Sequence, residues 1–142
     1  MNISEKKAID LLVNEFWRLG FFTVSRRFGT YLPEPGKVGN YPVDAVGRLK
    51  EKYAIGIVLG KEDIFNPDLL EKISYLASRK SRSSNKTVTL FIGVEDNYLK
   101  RVKELISSLD ENIRKNVKLV RIEENDLNSQ KSTNQPSQIF FS

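Results

Sequence analysis

The chain has no histidine and no cysteine, which limits the chemistry that its 142 residues can perform. Histidine general bases, thiol nucleophiles, disulfides and the usual structural zinc sites are excluded. A bound metal would need oxygen ligands, which favours Mg²⁺ or Mn²⁺. The carboxylate in the most informative position is Asp44, within the segment 41–47 (Tyr-Pro-Val-Asp-Ala-Val-Gly). A carboxylate such as Asp44 is the kind of side chain that oxygen-ligand chemistry would need.

Asp44 is predicted to stand on a strand that follows a helix and another strand. Apolar residues recur at helical spacing over residues 4–19, and Gly20 is typical of a helix end. Residues 21–25 are aromatic and β-branched, which predicts a strand, and a long loop follows. The segments 43–49 and 53–59 are separated by three residues, so they should pair as an antiparallel hairpin.

The rest of the chain predicts alternating helices and strands. Asn66 and Pro67 suit the start of a helix. A strand over 87–94, a helix over 98–109 and a strand over 117–122 follow. The predicted class is α/β, with a mixed sheet flanked by helices on both faces. We expect a single domain over 1–127 and a flexible polar tail over 128–142.

This order of elements and the Pro42-Val43-Asp44 motif resemble the PD-(D/E)XK nuclease superfamily, in particular Holliday junction resolvase-like members, over roughly residues 4–94. The resemblance implies a restriction endonuclease-like αβββαβ core. It also implies that Asp44 and a second acid on the next strand hold Mg²⁺ or Mn²⁺, which activates a water and neutralises phosphate charge. A lysine two residues after the second acid would position that water.

The expected second acid and lysine are missing from the strand over 53–59. Placing the motif at 57–59 (Ile-Val-Leu) removes both groups, and a lone carboxylate binds magnesium poorly. Substitute groups are available nearby. A motif that has migrated along the chain would use Lys61 and Glu62. An acid from the first helix would be Glu5 or Asp10. Lys72 would serve as a relocated lysine, or it is a solvated surface residue.

A net charge of +5 is compatible with a polyanionic partner. The partner that we expect is nucleic acid, and DNA before RNA. Phosphates would be contacted by basic residues that surround the predicted hairpin and the segment after the second helix. The alternative is that these residues are scattered solvated charges. The candidates are Arg26, Arg27, Lys37, Arg48, Lys50, Arg79, Lys80 and Arg82.

Two hydrophobic features lie outside the predicted site. Trp17 is expected to pack in or beside the core. The tail ends in Ile139-Phe140-Phe141, which either binds a protein partner or folds back on the domain or its dimer mate. A homodimer is open because the resolvase-like proteins that the chain resembles are often dimers. No apolar run approaches the roughly 20 residues of a membrane helix, so we expect a cytoplasmic protein without a membrane anchor.

Three functions are consistent with these observations. The first is a nucleic-acid-binding endonuclease-like domain whose catalytic site is degenerate or inactive. The second is an active Mg²⁺- or Mn²⁺-dependent DNA endonuclease with a migrated motif. The third is a protein-interaction module on a nuclease-like scaffold. The number of carboxylates around Asp44 distinguishes the first two.

Overall fold

The fold is an α/β arrangement around one sheet, seen in a computed structural model that describes residues 3–123. The helices are α1 (Ile3–Arg18), α2 (Lys61–Ile64), α3 (Leu69–Ala77), α4 (Leu99–Ser107) and α5 (Glu111–Arg114), with a 3-10 turn at Asp96–Tyr98. The strands are β1 (Phe22–Arg26), β2 (Ala45–Leu49), β3 (Lys52–Leu59), β4 (Thr89–Glu95) and β5 (Val117–Ile122).

The five strands lie in the sheet in chain order, from β1 at one edge to β5 at the other. The first three pair antiparallel, and β3, β4 and β5 run parallel. The predictions of an α/β class, a mixed sheet and a β2–β3 hairpin are therefore confirmed. The proposed tail lies outside the described residues. None of the helices between residues 3 and 123 has the length and apolar content needed to traverse a lipid bilayer.

Helices cover both faces of the sheet, as the apolar pattern of each element requires. In α1, Ile9, Leu12 and Phe16 recur at helical spacing and are fully buried. Leu12 and Phe16 pack on one face of the sheet with Phe91. The other face is covered mainly by α3 and α4, whose apolar residues form the largest cluster. This central position explains why β3 has no charged side chain between Tyr53 and Leu59.

The register of the strands defines two ends of the sheet. At one end, Arg26 pairs with Ala45, and Asp44 and the C-terminus of β3 lie beside them. We call this the Asp44 end. At the other end, Leu49 pairs with Lys52 across the β2–β3 turn, and Ala54 pairs with Thr89 at the start of β4. We call this the turn end.

Helix α1 approaches the sheet so closely that glycine is required beneath it. A Cβ built on Gly56 of β3 would lie 2.6 Å from Leu12 Cδ2 and 3.0 Å from Phe16 Cζ. On β2, a Cβ on Gly47 would lie 2.9 Å from Phe16 Cδ2. Interiors are packed to crystal-like density, so extra atoms at these positions have no free volume to enter.

The structure differs from the sequence predictions in two short helices, α2 and α5, and at Trp17. A short helix, α2, follows β3 directly, and α3 begins at Leu69 after a turn in which the Asn66 side chain accepts a hydrogen bond from the Asp68 N–H. The prediction that Trp17 packs in or beside the core is wrong. Its side chain is 67% exposed and makes an edge contact with Phe22, 5.7 Å between ring centroids.

Replacing Gly56 by alanine should destabilise the domain, because the new methyl group would overlap Leu12 and Phe16. We expect the free energy of unfolding to fall by about 1–3 kcal/mol, measured by urea denaturation. Gly36→Ala is the matched control, since a Cβ there meets no atom within 4 Å. Equal stability of the two variants would contradict the close packing of α1 on β3.

Candidate functional site

The Asp44 carboxylate serves first as a hydrogen-bond acceptor for the sheet. The Asp44 N–H donates to the Gly56 carbonyl at 2.8 Å, which continues the β2–β3 ladder by one step. Its Oδ2 then accepts the Val58 N–H at 2.7 Å. The side chain thus takes the place of a backbone acceptor for β3. The Asp44 side chain is only 13% exposed, so an unpaired Val58 N–H here would be costly.

The other oxygen of Asp44 binds an arginine. Arg27 follows β1 and is aligned by its backbone, whose N–H donates to the Asp44 carbonyl at 2.9 Å. Its Nη1 lies 2.9 Å from Asp44 Oδ1 and 3.2 Å from Glu5 Oε2. The hydrogen bond to Asp44 is the main reason that the pKa of Arg27 is raised above its usual value. Arg27 therefore remains a cation wherever the protein is folded.

A second ion-pair group lies beside the first. Arg26 Nη2 is 2.6 Å from Asp10 Oδ1, and Lys6 Nζ is 3.3 Å from Asp10 Oδ2. The guanidinium of Arg26 also donates through Nε to the Arg27 carbonyl at 3.1 Å. The sequence candidates Glu5, Asp10 and Asp44 are therefore brought to one end of the sheet, but each is paired with a basic residue.

The residues around Asp44 do not fit a Mg²⁺ or Mn²⁺ site. Glu5 and Asp44 oxygens bind the same Arg27 nitrogen and so lie within about 6 Å of each other, a range over which charges couple strongly. However, the guanidinium lies between them, where a shared metal would have to bind. Within residues 3–123, no group of three or more histidine, cysteine or acidic side chains is arranged to hold a metal ion.

The alternation of side chains between the two faces of β3 shows which positions face this site. At 57–59, one placement considered for the second acid and the lysine, Ile57 and Leu59 are buried in the cluster beneath α3 and α4. The face that α1 covers, from which Glu5 reaches Asp44 through Arg27, presents Gly56 and Val58. Neither carries an acid or a lysine. At Gly56 there is no room for one, because Leu12 and Phe16 fill the space.

The remaining catalytic candidates lie in two places. Lys61 and Glu62 are exposed on α2, which begins immediately after β3 and so lies at the Asp44 end. Lys72 lies on α3, on the opposite face from α1, where it lines a hollow of about 260 Å³ with Asp68 and Glu71. Lys72 is therefore not brought to Asp44.

The candidate nucleic-acid-binding residues divide between the two ends. Arg26 and Arg27 are at the Asp44 end and contact acidic side chains of the chain itself. Lys37 is exposed in the loop before β2, next to the bridge between Val38 and Tyr41. The other five lie at or beside the turn end, on the β2–β3 turn and on the segment before β4: Arg48, Lys50, Arg79, Lys80 and Arg82.

Comparisons with known proteins add no family to this description. No family model, no curated protein and no solved structure matches the chain.

Two substitutions of Asp44 separate its hydrogen-bonding role from its charge. Asp44→Asn keeps an acceptor for the Val58 N–H but weakens the contact with Arg27, whereas Asp44→Ala removes both. We expect Asp44→Ala to lower the free energy of unfolding by about 1–3 kcal/mol and Asp44→Asn to cost clearly less. Urea denaturation provides the stabilities. Faster hydrogen exchange of the Val58 amide in Asp44→Ala, but not in Asp44→Asn, would confirm that the lost hydrogen bond causes the destabilisation. Equal destabilisation and equal exchange in the two variants would contradict this.

Proposed function

We propose that this chain is a restriction endonuclease-like domain that binds nucleic acid and does not cleave it. In this proposal the Asp44 site has become a structural ion-pair centre. The observation that carries it is that both oxygens of Asp44 already have hydrogen-bond partners, while the β3 positions on the same face, Gly56 and Val58, carry no acid. One oxygen of Asp44 accepts the Val58 N–H, and the other is bound to Arg27. The nearby strand position is Gly56, covered by Leu12 and Phe16.

The order and direction of the elements support the proposed relationship to nucleases. A helix precedes three antiparallel strands, and a helix then leads to a parallel fourth strand, which is the αβββαβ order that the sequence resemblance implies. Asp44 directly precedes the second strand, and Glu5 lies on the first helix, from which the resemblance allows a further acid. A shared fold alone does not establish a function, so the proposal depends on the site.

A second candidate function is a metal-dependent endonuclease with a migrated motif. The observation in its favour is the position of Lys61 and Glu62, which are exposed and follow β3 at the end of the sheet that holds Asp44. For catalysis, a metal would have to displace Arg27 from Glu5 and Asp44. That exchange replaces charge-assisted hydrogen bonds in a partly buried setting, which makes it unfavourable.

We expect the protein to bind duplex DNA at low salt without cutting it. With about five phosphate contacts, affinity should fall about 500-fold between 50 and 200 mM salt, as measured by fluorescence anisotropy. The same complexes, incubated with Mg²⁺ or Mn²⁺, should yield intact linear, branched and single-stranded substrates on denaturing gels. An established metal-dependent endonuclease under the same conditions serves as the positive control.

Two outcomes would contradict this proposal in different ways. Metal-dependent cleavage that disappears in Lys61→Ala and Glu62→Gln variants would establish the migrated motif. Absence of any salt-dependent binding to DNA or RNA would favour the protein-interaction module on a nuclease-like scaffold.

A further inference from the structure

Two basic turns lie against each other at the turn end of the sheet. The first is the β2–β3 turn, residues 48–53. The second is a short hairpin over residues 79–88, which we call the basic hairpin. In it the Val88 N–H donates to the Arg79 carbonyl and the Ser81 N–H to the Lys86 carbonyl, both at 2.9 Å. The Ser84 hydroxyl donates to the Glu51 carbonyl at 2.8 Å, which joins the two turns.

These two turns concentrate the positive charge of the chain. They contain seven cations and one carboxylate, Glu51, which gives a net charge of +6 against +5 for the whole chain, so all other residues together carry −1. Glu51 lies 4.0 Å from Lys86 Nζ and is largely exposed. The cations are Arg48, Lys50, Lys52, Arg79, Lys80, Arg82 and Lys86. All are exposed except Arg79, which stacks on the Tyr75 ring.

The Asp44 end differs from this surface in its charge balance. There, three cations contact three acids of the same chain: Arg27 bridges Glu5 and Asp44, while Arg26 and Lys6 bind Asp10. A phosphate that approached Arg26 or Arg27 would compete with a carboxylate already in place. The turn end presents no such competition apart from Glu51. Electrostatic attraction of a polyanion therefore favours the turn end.

The chemistry of the basic hairpin fits a nucleic acid backbone better than a lipid surface. Its tip, residues 81–86, reads Ser-Arg-Ser-Ser-Asn-Lys and has no apolar side chain to insert into a bilayer. Hydroxyl, amide and basic groups are the side chains that donate hydrogen bonds to phosphate oxygens.

We propose that the β2–β3 turn and the basic hairpin together form a duplex-DNA-binding surface, at the end of the sheet opposite Asp44. This inference rests on the proposed nucleic-acid function and specifies where the nucleic acid binds. The domain contacts the phosphate backbone through residues such as Lys50 and Arg82, with little dependence on base sequence. The ion-pair centre at Asp44 then faces away from the bound duplex.

Charge reversal on this surface, compared with charge reversal on α4, tests the proposal. The variant Lys50→Glu/Arg82→Glu should bind a 20-base-pair duplex about 100-fold more weakly at 100 mM salt, with the slope of log affinity against log salt reduced by about 2. The control Lys100→Glu/Lys103→Glu changes the same charge on exposed positions of α4 and should bind within about threefold of the wild type. Glu51→Gln should bind about twofold to fivefold more tightly, which loss of folding cannot mimic.

Each outcome has a separate meaning. If both double variants weakened DNA binding equally, affinity would depend on net charge alone. That result would overturn the proposed binding surface and leave the proposed function in place. A wild-type protein that binds no duplex overturns the proposed function and this inference together. Tight binding to vesicles of anionic lipid, with no binding to DNA under the same conditions, would assign the surface to a membrane and reject a nucleic acid.

Discussion

The Asp44 carboxylate is the point at which four elements of the fold meet. Its Oδ2 completes the hydrogen bonding of β3 at Val58, and its backbone continues the β2–β3 ladder. Its Oδ1 binds Arg27, which extends from β1, and Arg27 in turn binds Glu5 of α1. A partly buried carboxylate is tolerated only when its hydrogen-bonding capacity is met. The geometry of this end of the sheet follows from that requirement.

The same constraint limits the chemistry of the site. Arg27 supplies the positive charge that two neighbouring carboxylates need, and a guanidinium keeps that charge at any ordinary pH. On the adjacent strand, Gly56 allows α1 to pack within van der Waals distance, so Leu12 and Phe16 leave no space for a side chain at that position. Charge neutralisation and tight packing are thus both achieved by the protein's own side chains. In the proposal above, an external ligand instead binds the basic surface at the opposite end.

Much of the fold could be predicted from the sequence, because its elements have clear local signals. The helical spacing of Ile9, Leu12 and Phe16, and the uncharged run in β3, both reflect burial that the structure confirms. The α2 helix was missed, since four residues carry little periodic signal. Trp17 was misjudged because a large apolar side chain usually indicates a core position, yet here it lies at the sheet edge against Phe22.

The site itself was predicted less completely, and the reason is geometric. Asp44, Glu5 and Asp10 were identified, but their pairing with Arg27 and Arg26 depends on contacts between residues 16 to 22 positions apart. The motif placement considered on β3, at 57–59, begins at Ile57, whose side chain lies on the face covered by α3 and α4. A glycine at position 56 in an otherwise apolar strand was the available signal, because glycine inside a strand often marks a close approach by another element.

Arg27 occupies the space between Glu5 and Asp44 that a shared metal ion would need. NMR with Mn²⁺ tests this, because the unpaired electrons of Mn²⁺ broaden the signals of nearby amides. The Val58 amide is the best reporter, since its nitrogen lies 2.7 Å from an Asp44 oxygen. We expect millimolar Mn²⁺ to leave the Val58 and Asp44 amide signals no broader than those of distant residues. Selective broadening of those two signals, removed by excess Mg²⁺, would show that a metal displaces Arg27.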